Sequence, residues 1–162
     1  MTITYVLDTT ALLYYKRYEG RNVTTLGVLN EVKRREERMI VEALIEGGLI
    51  EVLRVPEKYI SYARSEAQKT GDIVKLSDTD IEVIALSKFL SDQGEDVTVI
   101  TDDYSIQNVL ENLGIKYRHI IRRISRRVKW KLKCEKCGKV YPLTFKSKIC
   151  VLCGGLLRRT SK

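Results

Sequence analysis

The chain contains a single histidine, His119, and no cysteine before residue 134. Nowhere does it hold an apolar run approaching the ~20 residues that a membrane helix needs. One histidine excludes catalysis by a histidine pair, and in the basic end segment a lone His119 reads as structural. The start, MTITYVLDTT, lacks the basic opening and long apolar stretch of a secretory leader, so the expected location is the cytoplasm. Asparagine and glutamine are few beside Glu, Lys, Arg and Ile, a bias of heat-adapted proteins that says nothing about activity. There is no internal repeat and no low-complexity tract.

What is present suffices for one ordinary domain and a small appendage: 162 residues, 44% of them hydrophobic. The net charge of +8 is unevenly placed. Residues 116–162 hold sixteen Lys and Arg against one acid, Glu135, for a net +15. Residues 1–115 hold thirteen bases and twenty acids, for a net −7. A basic tail of this density seeks a polyanion, unless it is merely a solvated face, while the acidic body has another task.

Ile3–Leu7 reads as a strand closed by Asp8, with helical spacing after it at Leu12, Leu13 and Tyr15. Residues 18–25 read as a loop, followed by helices over Leu26–Arg35 and Glu37–Glu46, the second stopped by Gly47-Gly48. Ile50–Val55 reads as a strand and Glu57–Lys69 as an amphipathic helix. Ser77 opens a further helix with a capping box, Asp80 at the reach-back position. Val97–Thr101 (strand), Ser105–Leu113 (helix) and Ile115–Tyr117 (short strand) complete the body. Alternating strands and helices predict an α/β fold, a central parallel sheet flanked by helices. We expect a body over 1–121, a basic linker over 122–129 and a small module over 130–162. From Val128 the chain alternates, Val128, Trp130 and Leu132 against Lys129, Lys131 and Lys133, as an amphipathic strand does.

All four cysteines lie in the module, as Cys134-x₂-Cys137 and Cys150-x₂-Cys153 twelve residues apart, with Gly138 and Gly154-Gly155 behind the pairs. Two such knuckles predict one structural Zn²⁺ in a closed tetrahedral site, a zinc ribbon. Disulfides are disfavoured in a reducing compartment, and two matched pairs argue against a redox pair. A module this small takes much of its folding energy from the metal. The candidate RNA contacts are Arg122, Arg123, Arg126, Arg127, Lys129, Trp130, Lys131, Lys133, Lys136, Lys139, Lys146, Lys148, Arg158 and Arg159: cations for phosphate, and aromatics to stack on bases. Trp130, Tyr141 and Phe145 could equally pack around the ribbon.

In the body, Asp8 and Asp102 each end a strand, and strands of a parallel sheet end at the same edge, where ligands bind. Asp80 in a first helical turn and Glu31 within a helix could aim at that edge. Clustered carboxylates repel unless a cation sits among them, and an all-oxygen set suits Mn²⁺ or Mg²⁺. Such an ion activates water and steadies charge on a phosphate. Taken singly, Asp8, Asp80 and Asp103 are each explained as helix caps.

YVLDTTALL, TTLGVLNEV, LSDTDIEVIAL and VITDDYSIQNVLENLGI, in this order, resemble a PIN-domain nuclease over residues 1 to about 121. With the four-cysteine ribbon appended, the whole chain is similar to the archaeal form of the NIN-one-binding protein family. The resemblance implies an endoribonuclease of ribosome biogenesis that cuts precursor small-subunit rRNA at its 3′ end, with the nascent small subunit as partner. It puts the catalytic, metal-binding acids at Asp8, Glu31, Asp80 and Asp102, with Asp103 beside the motif position. It implies one or two Mn²⁺ or Mg²⁺ ions and hydrolysis leaving 5′-phosphate and 3′-hydroxyl ends. The long insert of eukaryotic relatives is absent.

The alternative is a non-catalytic rRNA-binding assembly factor that works through the ribbon and tail. A toxin-like PIN ribonuclease against transfer RNA is usually the bare domain. A haloacid-dehalogenase-like phosphatase needs Asp-x-Asp where this chain has Asp8-Thr9-Thr10. The paired acids and late lysine of a receiver domain are not evident.

Overall fold

The computed structural model describes residues 2–120 and 130–160. The chain divides into two compact units, residues 1–121 and 122–162. In the first, β1 (Ile3–Leu7), β2 (Arg21–Thr25), β3 (Glu51–Leu53), β4 (Asp96–Ile100) and β5 (Lys116–Arg118) form one sheet in the order β3-β2-β1-β4-β5. Every pairing is parallel. Val6, Leu7, Val99 and Ile100 are fully buried, as expected where a parallel strand is covered on both faces.

The helices are α1 (Thr9–Leu13), α2 (Leu26–Glu31), α3 (Arg35–Glu46), α4 (Glu57–Thr70), α5 (Asp78–Asp92) and α6 (Tyr104–Asn112). α5 buries Ile81, Val83, Ile84, Ala85, Leu86 and Leu90. Apolar residues that close together along a helix mark a core helix rather than a surface one. Its start is held by the expected capping box: the Ser77 hydroxyl accepts from the Asp80 amide at 3.1 Å, and Asp80 accepts from the Ser77 amide at 2.8 Å.

Two expectations fail. Residues 18–25 are not a loop, because Arg21–Thr25 forms β2 between β1 and β3. Its composition is loop-like, but its buried polar side chains find partners: Thr24 donates to the Leu7 carbonyl at 2.8 Å, and Asn22 to the Tyr18 and Gly20 carbonyls. The helix from Leu26 ends at Glu31 instead of Arg35, since Val32 leaves helical geometry to enter the core at 3% exposure.

Strand order reverses at β1. The chain lays β2 and β3 to one side, then returns to place β4 and β5 on the other. Such a reversal opens a crevice at the carboxyl ends of the two strands concerned, here β1 and β4. At the opposite edge of the sheet Arg21 bridges Glu51 and Glu95, each at 2.9 Å, and Thr4 donates to Glu95.

The second unit is a three-stranded antiparallel sheet, β6 (Lys131–Cys134), β7 (Val140–Tyr141) and β8 (Leu157–Thr160), in the order β7-β6-β8. Its buried residues are Cys134, Tyr141 and Cys150, with Leu132, Phe145 and Leu157 against them. Val128 and Lys129 of the expected strand lie outside the described residues. No helix among the described residues is long and apolar enough to cross a membrane.

Candidate active site and cysteine centre

The register of β1 on β4 pairs Leu7 with Ile100. The next residues therefore leave the sheet side by side, Asp8 on one strand and Thr101-Asp102 on the other. Asp8 is 7% exposed and caps α1, its Oδ1 accepting from the Ala11 amide at 2.7 Å. Thr101, fully buried, hydrogen-bonds the same carboxylate. Asp102 Oδ1 accepts from the Ile120 amide at 3.0 Å and lies 3.3 Å from His119 Nδ1. Glu31, the last residue of α2, accepts from the Thr9 hydroxyl, so a neighbour of Asp8 holds it. Asp103 caps α6.

These carboxylates feel one another. Burial pushes the Asp8 carboxyl above its ordinary value; the Thr101 and Ala11 hydrogen bonds oppose this, and Asp80 and Asp102 add to it. Burial likewise raises Asp80, opposed by Ser77 and reinforced by Asp103 and Glu31. Among the described residues no Lys or Arg lies within ion-pair distance of Asp8, Glu31, Asp80, Asp102 or Asp103, the one basic partner being His119. Capping and ligation are compatible, because a carboxylate has about four lone-pair sites and a cap uses one. No three of these carboxylates bring ligand atoms within 4.8 Å of one another. An all-oxygen set this open fits Mg²⁺ or Mn²⁺, since Mg²⁺ keeps several waters and takes only one or two carboxylates directly.

In the second unit, the sulfurs of Cys134, Cys137, Cys150 and Cys153 all lie within 4.8 Å of one another. Among the described residues this is the one set of metal-binding side chains so closely grouped. The Tyr141 hydroxyl lies 3.1 Å from Cys150 Sγ and, with the Leu152 and Cys153 amides, brings that thiol down to about 6. The Cys137 and Lys136 amides lower Cys134. At Cys134 and Cys150 donors aimed at sulfur favour thiolate, the form that binds zinc, whereas Cys153, despite the Gly155 amide, is pushed up by the neighbouring thiols. Gly155 is needed for space: a Cβ there would stand 2.7 Å from Cys134 Sγ.

The nine candidate contacts Trp130, Lys131, Lys133, Lys136, Lys139, Lys146, Lys148, Arg158 and Arg159 are all exposed. Arg122, Arg123, Arg126, Arg127 and Lys129 lie outside the described residues. Trp130 stacks under the Arg159 guanidinium at 5.1 Å, and Arg158 pairs with Glu135. Tyr141 and Phe145 pack on each other inside the ribbon at 4.5 Å.

Residues 5–90 match the family model described as the PIN domain of ribonuclease. Endoribonuclease Nob1 of Pyrococcus abyssi is 36% identical over 149 residues, 92% of this chain and 88% of that protein. Endoribonuclease Nob1 of Methanothermobacter thermautotrophicus is 36% identical over 156 residues, 95% of this chain and 91% of its own. The chain belongs to the archaeal Nob1 family of PIN-domain endoribonucleases. Ribonuclease VapC1 of Thermoplasma acidophilum is also similar, 34% identical over 158 residues, 96% of this chain and 77% of that protein. Around these carboxylates, sequence reasoning missed Thr9, Thr101 and Gln107 and read His119 as structural. Gln107 donates to the Thr101 carbonyl at 2.9 Å and lies 3.3 Å from His119 Nδ1. Thr9 and Thr101, adjacent to Asp8 and Asp102, left a trace in the sequence, and Gln107 left none.

Proposed function

We propose that this endoribonuclease cuts precursor small-subunit rRNA at its 3′ end, in the cytoplasm, by divalent-cation-dependent hydrolysis leaving 5′-phosphate and 3′-hydroxyl ends. The observation that carries the reading is the convergence of Asp8 and Asp102 at the reversal of strand order, with Asp80 in electrostatic reach. Asp8, Asp80 and Asp102 would hold one or two Mn²⁺ or Mg²⁺ ions, with Glu31 orienting the second ion or its water. A divalent cation there activates water and offsets charge on the phosphate. Thr101 and the Ala11 amide fix the Asp8 carboxylate, Thr9 fixes Glu31, and the Ile120 amide and His119 fix Asp102. One structural Zn²⁺ on Cys134, Cys137, Cys150 and Cys153 would hold the ribbon. Its exposed cations, with those of 122–129, would grip the rRNA of the nascent small subunit.

The test is an RNA spanning the 3′ boundary of small-subunit rRNA, incubated with Mn²⁺, then with chelator, then with Asp8→Asn. Site-restricted cutting abolished by both changes is the expected result. Cutting that survives Asp8→Asn would overturn the assignment of the acids. Tight binding without cutting, reproduced by the ribbon alone, would favour a non-catalytic assembly factor. A toxin-like PIN ribonuclease against transfer RNA is the other alternative. Cutting of transfer RNA in preference to the boundary RNA would select it.

A further inference from the structure

Asp8 and Asp102 are held in different ways. Asp8 is buried, and its Oδ1 caps α1. The side chain of Asp102 is 39% exposed, and the cap of α6 is its neighbour Asp103. Burial does not place Asp102, so its direction depends on the backbone on either side and on the groups against its carboxylate. One residue reaches both flanks. Gln107, on α6, is buried, and its Nε2 donates to the Thr101 carbonyl at 2.9 Å. That carbonyl belongs to the planar peptide that joins Thr101 to Asp102, so its direction bears on where the Asp102 side chain leaves the backbone. The main-chain N–H of Gln107 donates to the Asp103 carbonyl at 3.0 Å. The same Nε2 stands 3.3 Å from His119 Nδ1, the nitrogen that lies 3.3 Å from Asp102 Oδ1.

We infer that Gln107 is a positioning residue for the divalent cation: it fixes the Thr101–Asp103 segment so that the Asp102 carboxylate stands where it can share an ion with Asp8. The inference rests on the nuclease reading above. The segment also reaches Asp8. The Thr101 hydroxyl accepts from the Asp103 amide at 3.1 Å, which leaves its single proton for the Asp8 carboxylate. Gln107 therefore bears on one carboxylate through Thr101 and on the other through the backbone and His119. Its amide carries no net charge, so it acts on the cation through position. Groups that orient metal ligands in this way set affinity without touching the metal. Core filling alone does not account for an amide here, because an apolar side chain of the same length would fill the space and leave the Thr101 carbonyl without this donor.

The experiment compares the full chain as wild type, Gln107→Met and Val109→Ala. Methionine fills the space of glutamine and cannot donate. Val109 is fully buried on the same helix, so its truncation loosens α6 and removes no hydrogen-bond donor. Mn²⁺ is titrated without RNA, and the free ion is read from its electron spin resonance signal. RNA cutting is then measured over a range of Mn²⁺ concentrations. Gln107→Met should bind Mn²⁺ at least about 10-fold more weakly. It should need correspondingly more Mn²⁺ for half-maximal cutting and keep its KM for RNA. Val109→Ala should melt at a lower temperature and bind Mn²⁺ as wild type does. Where Gln107→Met does not fold, Gln107→Asn takes its place with the same expected loss, because its amide is one methylene too short for the Thr101 carbonyl. Mn²⁺ binding unchanged by the Gln107 substitution, or weakened as much by Val109→Ala, overturns the inference and leaves the nuclease reading standing. A wild type that binds Mn²⁺ and cuts no RNA sinks the nuclease reading, while the binding arm still decides on Gln107. A wild type that does neither overturns both.

Discussion

Asp8 serves two masters: it closes a helix and it faces other carboxylates from a nearly buried position. Its folded pKa stands above the unfolded value of about 3.9. The ionised form is therefore disfavoured in the native state. Native stability from this group is greatest below the unfolded pKa and falls as pH rises through the folded one. Asparagine caps a helix as well as aspartate does and has no such titration. Without divalent cation, Asp8→Asn should raise the melting temperature at pH 7, and the gain should vanish below about pH 4. Added Mn²⁺ should stabilise wild type more than the variant, because a ligand that binds only the native state raises stability. The same substitution should cut activity at least about 100-fold, since even partners of metal ligands are worth 10- to 100-fold. In the ribbon, Gly155→Ala puts a methyl group against Cys134 Sγ. It should weaken zinc affinity by about 10-fold or more, read by competition with a chromogenic chelator.

At the scale of the element, the first turn of α5 joins helix stability to the placement of Asp80. The Ser77–Asp80 capping box satisfies amides that the helix would otherwise leave open, and it also fixes where the Asp80 carboxylate stands. Ser77→Ala should cost about 1 kcal/mol of stability, seen in urea unfolding, and should lower RNA cutting less than Asp80→Asn does. Equal losses of activity would show that the cap, and not the carboxylate, is what cutting requires. The two edges of the sheet differ in the same terms. Arg21 neutralises Glu51 and Glu95 at one, while among the described residues the carboxylates at the other have only His119 as a basic partner. Compensated charge reads as structure, and uncompensated charge reads as a place for a cation.

For the whole molecule, the charge split predicts a division of labour. Removing residues 122–162 should weaken RNA binding and flatten its dependence on salt, because each phosphate neutralised releases counterions. An unchanged slope of log affinity against log salt for the truncated protein would contradict this. Much was legible beforehand. The cysteine spacing, the capping box, the glycine stops and the charge split are signals carried within a few residues, and local geometry alone interprets them. β2 was illegible because the side-chain donors of Asn22 and Thr24 are taken up by the preceding turn and by β1, partners that no local pattern names. The sequence by itself determined that two strands end in aspartate and that four thiols pair as knuckles. Only the tertiary structure decided that β4 lies against β1, which sets Asp8 beside Asp102, and that Asp80 comes within electrostatic reach of Asp8, and Glu31 within that of Asp80. The physical reason is that strand order and register join residues far apart in the chain, through hydrogen bonds that nothing in either segment specifies alone.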